Sequence, residues 1–111
     1  MPLSPGLYKL AFETPAGADY GVAYLTPDGR MRGGDSGMAY VGTYTQVGSR
    51  LCAELSVTQH RHVPGVVSAL GYNDVAVQLE GHTDEGSADV VGTSRDRAGL
   101  RFRARLTQIA D

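Results

Sequence analysis

Between Arg50 and Gln59, Leu51, Ala53, Leu55 and Val57 alternate without a break with Cys52, Glu54, Ser56 and Thr58. A period of two puts these sets on opposite faces of an extended chain, so the segment is a half-buried strand and not a helix. The same alternation recurs in Leu100–Gln108, where Leu100, Phe102, Ala104 and Leu106 oppose Arg101, Arg103 and Arg105. It recurs again in Asn73–Gly81, with Val75, Val77 and Leu79 inward, and in Gly6–Glu13, with Tyr8, Leu10 and Phe12 on one side. No helical repeat of useful length competes with it.

Turn signals separate these runs. Thr26-Pro27-Asp28-Gly29 presets a turn through proline and closes it through glycine, and Gln46-Val47-Gly48-Ser49, His82–Gly86 and Arg95–Gly99 punctuate the rest. With strands at Asp19–Leu25, Arg30–Gly33, Met38–Thr45 and Ser87–Ser94 added, the chain predicts about eight antiparallel strands joined mainly by short turns. An open sheet of that size leaves two bare edges and one wet apolar face, and closure removes both. The expected fold is all-β: a small closed antiparallel up-and-down barrel, lipocalin-like, in one domain over residues 1–111. Two features stay open. Asp19–Leu25 is apolar on both faces, since Tyr20, Val22 and Tyr24 alternate with Gly21, Ala23 and Leu25. The stretch near residues 64–70, after Pro64-Gly65, reads equally as one short helical turn or an ordered loop.

Charge excludes some functions. Ten Lys and Arg against twelve Asp and Glu give a formal net charge of -2, so no field draws the chain to nucleic acid or an anionic membrane. A mean hydropathy of -0.20 and the lack of any apolar run of about 20 residues predict no membrane span. The opening Met1-Pro2-Leu3-Ser4-Pro5-Gly6 shows no charged and apolar leader pattern, and Cys52 stands alone, so a cytoplasmic address is the expectation.

Several constellations bear on chemistry. Gly34-Asp35-Ser36-Gly37 resembles the nucleophile bend of trypsin-like serine proteases, but all three histidines follow Ser36, so a glycine-rich bend is expected instead. His60 and His62 share a strand face and form a zinc site only if His82 or Asp84 reaches them; solvent-exposed loop histidines are the expectation. Cys52 lacks clustered cations to activate it. The pairs Asp84/Glu85 and Asp74/Glu80 identify no glycosidase dyad. The row Arg101, Arg103, Arg105 suits phosphate, an acidic partner, or cross-strand acids alone, the last being favoured. Tyr8, Tyr20, Tyr24, Tyr40 and Tyr44, with Phe12, either line one ligand cavity or serve as packing and interface residues. No cofactor, metal or catalytic residue is expected.

The run Arg32-Gly33-Gly34-Asp35-Ser36-Gly37-Met38-Ala39-Tyr40-Val41-Gly42-Thr43-Tyr44, preceded by Pro27-Asp28-Gly29-Arg30, resembles the central signature of the GrlR-type negative regulators of type III secretion. The similarity extends through Gly6–Phe12 and, more loosely, Leu51–Gln59, covering about the first half of the chain. Its specific part is Gly33, Gly34, Asp35, Gly37, Tyr40, Gly42 and Tyr44. The resemblance implies a dimeric, non-enzymatic, lipocalin-like bacterial barrel that binds a transcriptional activator and stops it from working on secretion genes. That family uses an acidic surface tetrad that this chain lacks; Asp84-Glu85 is its nearest acidic turn and the candidate partner-binding one. Two functions from different classes are therefore carried forward: a regulator that binds a protein, and a barrel that holds an apolar or amphipathic small molecule.

Overall fold

Strands that are apolar on one face only must hide that face, and eight of them do so here by closing on themselves. The computed structural model describes residues 2–14, 17–61, 74–97 and 99–111. The strands are β1 (Gly6–Thr14), β2 (Gly17–Leu25), β3 (Arg30–Gly34), β4 (Met38–Val47), β5 (Arg50–Gln59), β6 (Asp74–Asp84), β7 (Ser87–Thr93) and β8 (Arg101–Ala110). Each pairs antiparallel with the next, and β8 returns to β1 with Leu10 opposite Leu106, closing the barrel. The expected up-and-down barrel is the observed one. The described residues contain no helix; the stretch near 64–70 lies outside them.

Strict alternation placed its side chains as expected. Leu51, Ala53, Leu55 and Val57 of β5, Val75, Val77 and Leu79 of β6, and Phe102, Ala104 and Leu106 of β8 are all buried. The undecided strand β2 turns Ala23 and Leu25 inward and Tyr20, Val22 and Tyr24 outward. Its small face is inside because the interior is already occupied from across the wall: a Cβ on Gly21 would stand 2.8 Å from the Tyr40 hydroxyl.

Strand ends differ from the sequence reading. The turn expected over His82–Gly86 shrinks to Glu85-Gly86, because β6 continues to Asp84 opposite Ser87, with Gly86 supplying φ 65. Thr83 is buried, and its N–H donates to the Ser49 carbonyl at 2.7 Å. β4 likewise runs on through Gln46 and Val47 to pair with Leu51 and Arg50. Gln46 has a task the turn reading missed: its amide accepts from the Leu3 N–H at 2.6 Å and donates to the Leu3 carbonyl at 3.0 Å. The segment before β1 thereby crosses one end of the barrel with Leu3 buried, and the Tyr8 hydroxyl donates to the Ser4 carbonyl at 2.6 Å to hold it.

Candidate functional site

The glycine-rich signature sits at the opposite end of the barrel, on the β3–β4 turn, and its residues serve the turn and the wall. The Asp35 carboxylate accepts from the backbone N–H groups of Gly37 at 3.0 Å and Met38 at 2.8 Å, and its other oxygen accepts from the Tyr40 hydroxyl. A short acidic side chain folding over its own turn is a local device that satisfies donors a strand ladder leaves free. His60, at the end of β5, joins the same knot: its N–H donates to the Gly37 carbonyl at 2.9 Å and its ring donates from Nε2 to the Asp35 carbonyl at 3.0 Å. Ser36 is exposed on the bend, and His60 reaches the Asp35 backbone instead of the serine.

The glycines answer to close approach. A Cβ on Gly33 would meet the Val22 carbonyl at 2.0 Å, and one on Gly42 would meet the Glu54 carbonyl at 1.8 Å. Both are distances at which backbone has to move, so β2 and β5 press on these positions too tightly for any side chain. Tyr44, half-buried, donates its hydroxyl to the Thr26 carbonyl and ties β4 to the β2–β3 turn. Burial pushes the phenols of Tyr40, Tyr8 and Tyr44 upward; for Tyr40 the Asp35 carboxylate at its hydroxyl and then the charge of Asp19 add to the effect.

Below the Asp35 knot lies an interior cavity of about 40 Å³, bordered by Phe12, Met38, Tyr40 and Phe102 near its mouth and by Leu55 and Val77 deeper in. Phe12 and Tyr40 meet edge to face there, centroids 6.0 Å apart. An apolar void of about 150 Å³ is what benzene occupies in an engineered core, and drug-sized ligands fill about 300 Å³ or more. Side chains therefore fill most of this barrel. Of the six aromatic candidates for a cavity lining, Phe12 and Tyr40 border the void, and Tyr8 and Tyr44 hydrogen-bond toward the other end. Tyr20 and Tyr24 stand on the outer wall, away from the void, since the interior side of β2 is its small side.

That outer wall is the second notable surface. Across β1 to β4 the outward positions include Tyr20 (65% exposed), Val22 (42%), Tyr24 (39%) and Val41 (45%), interrupted by Arg30 and Arg32. In the register Leu7 lies beside Tyr24, Tyr24 beside Arg32, and Arg32 beside Val41, so the apolar groups form a connected band with a cation set into it. The wall over β5 and β6 is different in kind, with Glu54, Ser56, Thr58, Asp74, Glu80 and His82 outward.

The remaining candidates are not brought together. His82 lies opposite Arg50 at the start of β5 and His60 follows its end, which separates the two histidines by roughly 30 Å at the rise of a strand. No three His, Cys, Asp or Glu residues are grouped to hold a metal among the described residues; His62 lies outside them. Cys52 is half-buried in the wall opposite Thr45 and Glu80. Glu80 pairs with Arg50, Asp74 accepts from the Gln59 N–H at 3.4 Å, and Asp84 and Glu85 are exposed at the β6–β7 hairpin tip. In the arginine row, Arg105 grips Asp89 through both carboxylate oxygens at 2.8 Å, which is the cross-strand acid expected for it. Compared with known proteins, the chain matches no protein family and no curated protein.

Proposed function

We propose that this barrel is a non-enzymatic regulatory protein that works by binding another protein through the outer wall of β1 to β4. The observation that carries this is the connected band of Tyr20, Val22, Tyr24 and Val41, a contiguous exposed apolar surface of the kind that marks interaction sites. Tyrosine and arginine are the residue types that supply most of the binding energy where proteins meet, and here Arg32 is set between Tyr24 and Val41. The resemblance to GrlR-type regulators supports the same reading and names the class of partner, a transcriptional activator of secretion genes, with dimerisation and a bacterial cytoplasm as its setting. The signature that carries the resemblance is occupied with the turn and the wall, so it speaks for a shared barrel more directly than for a shared target.

The small-molecule reading has less behind it, because a void of about 40 Å³ is well below the volume such ligands need. The test is affinity co-purification from the native host with the wild-type chain and with a Tyr24→Ser, Val41→Ser double variant. A stoichiometric protein recovered with the first and lost with the second is the expected result. Recovery that ignores the double variant would rule out this wall.

A further inference from the structure

A groove of about 360 Å³ runs along the outer wall over β1, beside the apolar band and sharing Tyr20 with it. Its shape comes from small residues between large ones. In one row Ala11 lies between Tyr20 of β2 and Arg105 of β8; in the next, Glu13 lies between Ala18 and Arg103. Alanines make the floor, the exposed Tyr20 ring makes one bank, and the arginines make the other. Arg105 is fixed in place by Asp89 at 2.8 Å and by the Ser87 hydroxyl at 3.2 Å, and so acts as wall. Arg103 differs from it: Glu13 stands opposite in the register, yet among the described residues neither Arg103 nor Arg101 forms an ion pair.

The charge around this groove opposes that of the molecule. The groove's own lining is balanced, Arg103 and Arg105 against Glu13 and Asp89, and the cationic surplus comes from Lys9 and Arg101 flanking it on the same outer face, on a chain whose formal net charge is -2. A local cationic excess of this kind steers and orients an acidic partner. We infer that the groove receives an acidic segment of the protein partner, a carboxylate meeting Arg103 while a neighbouring aliphatic or aromatic side chain lies on Ala11 against Tyr20. Guanidinium suits this because it meets a carboxylate with two parallel N–H groups. The inference rests on the protein-binding reading above and adds the chemistry of what is bound.

The test is a titration of isotope-labelled protein followed by its backbone amide resonances. The probe is an acetylated and amidated Glu-Leu-Asp-Glu peptide, and its control is the uncharged Gln-Leu-Asn-Gln peptide. Shifts are expected at Ala11, Ala18, Tyr20 and Arg103, should weaken with added salt, and should lose about threefold to fivefold in affinity in Arg103→Gln, the scale of one exposed ion pair. Equal shifts from the uncharged peptide, or an affinity untouched by Arg103→Gln, would overturn the assignment. So would inorganic phosphate moving the same amides at lower concentration, since the groove would then be a phosphate site. Shifts confined to Val22, Tyr24 and Val41 would also overturn the groove, while leaving the wider docking wall to stand or fall on its own co-purification test.

Discussion

At the scale of single residues, Asp35 and Tyr40 concentrate the most consequence in the fewest atoms. One carboxylate takes two backbone donors of its own turn and the hydroxyl of a core tyrosine, so the bend, β4 and the interior are fastened at one point. Tyr40→Phe removes the hydroxyl and leaves a carboxylate oxygen with one donor fewer, which should cost about 1–2 kcal/mol in urea unfolding. The same substitution should alter the alkaline limit. Burial, the Asp35 carboxylate and Asp19 hold the Tyr40 phenol well above its ordinary value, so the folded chain keeps a proton that the unfolded chain releases above about pH 10. The contribution is complete below that pH and declines as pH rises beyond it. Wild-type stability should therefore fall with pH above about 10, and in Tyr40→Phe it should fall less steeply; identical slopes would show that other groups set the alkaline limit.

At the scale of elements, the fold was legible wherever one face of a strand is apolar and the other is not. β5, β6 and β8 were placed with their faces correct because period two leaves no alternative for Leu51 to Val57 or Phe102 to Leu106. β2 was illegible for the converse reason: tyrosines and small apolar residues alternate in it, and the choice between them is made by Tyr40 across the interior and by the pressure of β3 at Gly33. Neither contact is local in sequence. The β3–β4 bend is legible as a bend from its glycines, but the link from Asp35 to Tyr40 and the clamp of Gln46 on Leu3 join residues whose alternation gives no hint of it. Two outcomes test these elements. Gly42→Ala should cost about 2 kcal/mol or more in urea unfolding, since its Cβ would have to displace the β5 backbone at both the Glu54 carbonyl and the Leu55 Cα. Leu3→Ala should cost about 2 kcal/mol by unbarring one end of the barrel, and a neutral result would mean that Leu3 covers the end without filling it.

At the scale of the whole molecule, the barrel divides its labour between inside and outside. The interior is spent on packing, with a void of about 40 Å³ near the Asp35 end. The wall over β1 to β4 carries a tyrosine-bearing apolar band set among Lys9, Arg30 and Arg32, the wall over β5 and β6 is acidic and polar, and the outer face of β8 carries an arginine row. A carrier would show the opposite arrangement, with a roomy interior and an indifferent exterior. Because the wall residues are partly exposed strand positions, the Tyr24→Ser, Val41→Ser double variant should lose only about 1 kcal/mol per site and stay folded while losing its partner, which separates binding from folding. Sequence alone could not have located this surface, since it depends on which face of β2 turns outward.

The most direct test of protein binding is a native mass spectrum of the chain purified gently from its own host. A heterocomplex is predicted, one that gives way to the uncomplexed chain in the Tyr24→Ser, Val41→Ser variant. A chain that carries a discrete small-molecule mass and no protein partner would contradict the account and return the barrel's interior to the centre of its function.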